Sequence, residues 1–113
     1  MTAASDATVV IVLTTLGGSD DPAPLARRLV DERLAACVNV LPVMTSFYRW
    51  KGSVEQEREQ QVIIKTTAGR LDALQARLLE LHPYEVPEIL VVPIDGGSSA
   101  YLTWLKEAVA DGR

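Results

Sequence analysis

FYRWKGSVEQEREQQVIIKTT, residues Phe47 to Thr67, holds the turn on which the fold depends. The first half is aromatic and β-branched in character, and Tyr48 and Trp50, two apart, share one strand face. Lys51-Gly52 then interrupts it, and Trp50-Lys51-Gly52-Ser53 leaves room only for a tight turn. A charged stretch from Glu55 follows and closes on the apolar VIIKTT, so the two halves read as a long antiparallel hairpin.

Upstream, Cys37 to Trp50 is extended, with Pro42 as a bend or bulge. Before it, SDDPAPLARRLVDERLAA carries Asp20 or Asp21 as N-cap and Pro22 in the first turn, with Leu25, Leu29 and Leu34 on a helical stripe that runs to Ala36. A β-branched strand, Thr8 to Thr15, precedes that helix and ends at Gly17-Gly18. Downstream of the hairpin, Gly69-Arg70 opens a second helix with Leu71, Leu74, Leu78 and Leu81 at core spacing. The loop His82 to Pro87, the strand Glu88 to Asp95, the turn Gly96-Gly97-Ser98-Ser99 and a final helix complete the chain. The order β-α-β-β-α-β-α predicts an α+β, ferredoxin-like split β-α-β domain with an additional C-terminal helix. Residues 1–7 read as a flexible N-terminus ahead of a single domain over 8–113.

Composition narrows the function classes. The chain has 113 residues, 48% of them hydrophobic and 23% charged, with a mean hydropathy of +0.12, which suits one compact domain with a real core. Eleven basic against fifteen acidic residues give a net charge of -4, and no concentrated basic face is evident. That balance excludes nucleic acid as the main partner. Cys37 is the single cysteine and forms no internal disulfide, which points to a reducing, cytoplasmic setting. No basic region precedes the first short apolar run, and no stretch approaches the ~20 apolar residues of a membrane span, so no membrane partner is expected.

Val9 to Leu13, Val62 to Ile64 and Ile89 to Val92 are apolar at successive positions, hence on both faces of the sheet. The crossover helices of this fold cover only one face. An apolar second face exceeds what a monomer usually exposes, and one terminal helix would cover only part of it, so self-association is expected.

The side chains with chemical potential are few. His82, the only histidine, stands in HPYEVPEIL with no second histidine or nearby thiol at ligand spacing. It is either a metal donor completed by neighbouring subunits or the residue that ends the second helix before Pro83, and spacing favours the latter. Cys37, in LAACVNV, reads as a buried, inert thiol. Lys65 interrupts an apolar strand, so it lies on an exposed edge or pairs with a carboxylate such as Glu59 or Glu88. Tyr48 and Trp50 suit packing against a neighbouring chain better than stacking on a ligand. Ser98 or Ser99 suits a helix N-cap. An obvious acid-base apparatus is lacking, so no catalytic residues are assigned and the chain reads as non-enzymatic.

In this order and spacing, ERLAACVNVLPVMTSFYRWKG, EREQQVIIKTT, HPYEVPEIL and YLTWLKEAV resemble the CutA family, the divalent-cation tolerance proteins, over nearly the whole chain. The resemblance implies a homotrimer of ferredoxin-like subunits, similar in fold and assembly to the nitrogen-regulatory PII proteins. It implies that the hairpin, with Tyr48 and Trp50, helps join subunits at a trimer interface. It associates the chain with tolerance to divalent metals, with copper(II) or another divalent cation as the implied ligand. His82 falls on the histidine of the family's HPY motif, and Glu59, Lys65, Tyr84 and Glu88 fall on positions that line or support an inter-subunit cleft. Two departures stand against a soft copper site. Leu13-Thr14-Thr15 replaces the cysteine that some relatives carry at the end of the first strand, and Leu81-His82 replaces two adjacent histidines. The alternative implied by the same likeness is a PII-like sensor or scaffold that binds a small metabolite or a protein partner in the cleft. The short turn at Lys51-Gly52 leaves out the long mobile loop with which PII proteins contact targets.

Overall fold

A computed structural model describes residues 5–110. Five strands and three helices follow one another: β1 (Val9–Gly17), α1 (Ala23–Asp31), β2 (Cys37–Val40), β3 (Met44–Trp50), β4 (Ser53–Thr67), α2 (Leu71–Leu81), β5 (Leu90–Pro93) and α3 (Ser99–Ala108). The predicted second strand is thus two strands, broken where Leu41-Pro42-Val43 leaves the ladder. β4 pairs with β2 through its second half and with β3 through its first, and the remaining order is β4-β1-β5, all antiparallel. This is the α+β, ferredoxin-like arrangement. Ahead of β1 the Asp6 carbonyl accepts the Gly69 N–H at 3.0 Å. Residues 1–4, and the domain's last residues 111–113, lie outside the described residues.

The hairpin turn obeys the local rule that predicts it. Lys51 and Gly52 both have positive φ, 49° and 84°, the combination whose twist matches two paired strands. Such a turn fixes register, so Trp50 faces Ser53 and Met44 faces Glu59.

α1 stops five residues short of the expected Ala36. Arg33 takes the left-handed conformation (φ 59°), a place usually given to glycine. Its N–H reaches the Val30 carbonyl, and the Leu34 N–H reaches Leu29, so the last carbonyls are satisfied in a Schellman-type end. Leu34 therefore enters the core beyond the helix rather than along its stripe.

The two helices α1 and α2 cover one sheet face. Leu25, Leu29, Leu74 and Leu78 meet Val12, Leu16, Val62 and Ile64, all buried. The opposite face is covered only at one end, where α3 packs Leu105 and Val109 on Val9 and Ala36. Cross-strand register places Ile11, Leu13 and Ile63 on the remainder, beside Leu90 and Val92 of β5, which are 55% and 42% exposed. None of the described helices is long and apolar enough to cross a membrane.

Candidate functional site

A cleft forms where β4 outruns its neighbour. β1 ends at Gly17 opposite Glu59, so Ser53 to Arg58 continue with only β3 beside them. This projecting hairpin, the turn after β1 and the loop after α2 enclose a cleft of about 1350 Å³.

The turn after β1 forms one wall and is held rigidly. Gln60 donates from Nε2 to the Gly17 and Asp20 carbonyls, both at 2.9 Å, and the Gly17 N–H donates to Asp20. Gly18 hydrogen-bonds to the Arg58 carbonyl, and a Cβ there would stand 2.9 Å from that of Arg58. Only glycine permits this approach of two backbones.

The other wall is the loop His82 to Glu88, and His82 fastens it. The Ile94 N–H donates to the Val9 carbonyl, so odd-numbered carbonyls of β1 face β5. The β5 ladder stops at Leu90 opposite Leu13, which leaves the carbonyl of buried Thr15 without a strand partner. His82 Nε2 lies 2.6 Å from that oxygen, while Nδ1 accepts the Tyr84 N–H at 3.0 Å. The carbonyl requires a donor and the amide an acceptor, so the ring is the neutral Nε2–H tautomer. Both nitrogens are thereby committed. The ring is buried at 8% exposure, and within this chain its two nitrogens are spent on the Thr15 carbonyl and the Tyr84 N–H. The expected cap is present: the His82 N–H closes α2 on the Leu78 carbonyl.

Tyr84, packed on the His82 ring at 4.8 Å between centroids, donates its hydroxyl to Glu59 at 2.8 Å. Burial first, then the hydrogen bond and charge of Glu59, pushes its phenol well above the usual range. Glu59 is only 8% exposed. Glu88 accepts from Gln61 Nε2 at 3.3 Å, and the same nitrogen reaches the Thr14 carbonyl. The Tyr48 phenol is also raised, by desolvation and then by Glu57, Glu59 and Glu55. Three of the expected residues, Glu59, Tyr84 and Glu88, therefore line the cleft together with Tyr48 and Trp50, and His82 stands behind Tyr84.

Lys65 does not join them within one chain. It lies six residues along β4 from Glu59, about 20 Å at strand rise, opposite Ile11 and Cys37. Neither Glu59 nor Glu88 pairs with it, and its ammonium sits 5.9 Å over the Tyr101 ring instead. Cys37 is half-buried, with its thiol against Asn39. Sequence reasoning missed Glu57 and Gln61, whose signal was their even spacing from Glu59 on one strand face.

A carboxylate cleft of this kind attracts cations. A transition-metal site needs three or four donors converging on one ion, and among the described residues no three His, Cys, Asp or Glu side chains do so. One subunit alone does not fit such an ion.

Comparison with known proteins places these features in context. The family model for the CutA1 divalent ion tolerance protein matches residues 10–108. The divalent-cation tolerance protein CutA of Thermus thermophilus is 45% identical over 97 residues, covering 86% of this chain and 94% of its own. That of Escherichia coli is 42% identical over 105 residues, 93% of this chain and 94% of its own. The solved structure of CutA from Synechococcus elongatus superposes with a TM-score of 0.86 at 39% identity, covering 96% of this chain and 95% of that one.

Proposed function

The chain belongs to the CutA1 divalent ion tolerance family, and on that premise we propose that it serves divalent-cation tolerance as a cytoplasmic, non-enzymatic homotrimer whose acidic cleft meets the cation. The observation that carries this reading is the buried carboxylate of Glu59 at the root of the cleft, held by Tyr84, with Glu57 and Glu88 beside it. Three subunits are the assembly the resemblance implies. The bare sheet face supports self-association, as do the exposed Phe47 (68%), Tyr48 (40%) and Trp50 (44%) of the projecting hairpin. In such an assembly a neighbour closes the cleft, and Lys65, which pairs with no carboxylate among the described residues of its own chain, finds a carboxylate partner there.

Copper(II) or another divalent cation then binds weakly, through oxygen donors drawn from more than one subunit. His82 supports these donors by position and does not ligate. Calorimetric titration of the assembled protein with copper(II), nickel(II) and zinc(II) tests this. Weak binding that falls in Glu57→Gln and Glu88→Gln but persists in His82→Gln is expected. No binding by the wild type, or a loss confined to His82→Gln, would overturn the reading.

A second reading is favoured by size. A cleft of about 1350 Å³ exceeds the 300–1,000 Å³ typical of a small-molecule site and far exceeds one ion, so the PII-like alternative of a metabolite or protein partner in the same cleft retains support.

A further inference from the structure

From the way its two ring nitrogens are spent, we propose that His82 is a proton-operated latch, and that protonation of the ring frees the loop from Pro83 to Ile89 that walls the cleft. This goes beyond the reading of the cleft as a cation site and does not depend on what occupies it.

The loop has few fastenings. Pro83 and Pro87 have no N–H, and among the described residues no backbone-to-backbone hydrogen bond joins Pro83 to Ile89 to the rest of the chain. Three bonds hold it. The Tyr84 N–H donates to His82 Nδ1 at 3.0 Å, the Tyr84 hydroxyl donates to Glu59 at 2.8 Å, and Glu88 accepts from Gln61 Nε2 at 3.3 Å. Only the first engages the loop's backbone.

That bond and a proton exclude one another. The Nδ1 lone pair that accepts the Tyr84 N–H is the one site at which the neutral ring takes up a proton. A proton from water on Nδ1 makes the ring a cation with two N–H donors. The Nε2–H keeps the Thr15 carbonyl at 2.6 Å, so the ring stays anchored to β1. On the other side two donors then face each other, and the Tyr84 N–H must turn to solvent. Its side chain goes with it, away from Glu59.

The charges around the ring offer no substitute. Tyr84 faces it with centroids 4.8 Å apart and links it to Glu59 of β4. Asp20 and Asp21 of the turn after β1 and Arg28 of α1 line a groove with Leu81 and Pro83, the residues on either side of His82. Glu80 of α2 and Glu85 of the loop flank it in sequence. Among the described residues none of these carboxylates forms an ion pair with the ring, so none replaces the lost bond.

Nitrogen-15 NMR of the full-length assembled protein tests the latch from about pH 8 to pH 5, the range over which histidines ordinarily change charge. At the upper end the ring should show the Nε2–H tautomer, with the Tyr84 amide protected from hydrogen exchange. As both ring nitrogens become protonated, Tyr84 protection, corrected for the intrinsic pH dependence of exchange, should fall at least about tenfold, while amides of β1 and β4 keep theirs. In His82→Gln, where the carboxylates remain and the titrating ring does not, Tyr84 protection should stay flat. A protonated ring with Tyr84 still protected would overturn the proposal. So would a ring that stays neutral until the whole protein unfolds, or the same fall in His82→Gln. The first two outcomes are read on the wild type alone and do not depend on the variant folding.

Discussion

Truncating His82 to alanine removes a fastening and no ligand, and its cost follows from the partners left behind. The Thr15 carbonyl sits in a residue 6% exposed and accepts from the ring Nε2–H at 2.6 Å. A buried group left unsatisfied costs about 1–3 kcal/mol. The Tyr84 N–H, nearer to solvent, adds about 0.5–1 kcal/mol, because water replaces much of the lost bond. Loss of the ring contact with Tyr84 adds about 0.5–1.5 kcal/mol. The total is about 2–5.5 kcal/mol of stability. Guanidinium unfolding followed by circular dichroism measures it, at one fixed protein concentration because assembly and folding are linked. His82→Gln, whose amide offers one donor and one acceptor, should recover part of the loss. An alanine variant within about 0.5 kcal/mol of wild type, the range of a neutral surface change, would refute the fastening. Copper(II) binding lost in that stable variant would return the ring to the role of ligand.

Other outcomes follow from neighbouring features. The raised Tyr84 phenol favours the neutral form when folded, so its contribution is fully present below the unfolded value near pH 10 and is lost as pH rises from there toward the folded value. The Tyr84 phenol should form tyrosinate only well above the usual range, and Tyr84→Phe should flatten the alkaline fall in stability, as near-ultraviolet absorbance and unfolding midpoints will read. The Thr14 hydroxyl is fully buried without a partner, so the isosteric Thr14→Val should stabilise by about 1 kcal/mol in denaturant unfolding; destabilisation would mean that the hydroxyl is satisfied. Light scattering should give a solution mass of about 37 kDa, three chains of 12.3 kDa, and a monomer would contradict the unfinished sheet face.

What could be read from the sequence was local. Lys51-Gly52 makes its turn from two residues' own φ preferences, Ser98 caps α3 by accepting the Tyr101 N–H, and Leu74 and Leu78 follow helical period into the core. The end of α1 was not legible, because Arg33 takes a left-handed conformation without being glycine and is held there by carbonyls that only the folded helix presents. The role of His82 was half legible. Pro83 after it predicted the helix end, whereas the ring's partner, Thr15, is 67 residues away and needs one only because β5 stops early. The distance of Lys65 from Glu59 was not legible for a similar reason: strand rise, unseen in a list of charges, sets the two about 20 Å apart within one chain. The cleft itself arises from a difference in length between β1 and β4 that becomes plain once register is known.

The central claim is that the carboxylates of the hairpin, not the histidine behind them, meet the cation. Parallel copper(II) titrations of the wild type, Glu57→Gln and His82→Gln, each confirmed as folded and assembled, address it most directly. The account predicts affinity lowered in Glu57→Gln and near wild type in His82→Gln. Affinity retained in Glu57→Gln and abolished in His82→Gln would contradict it.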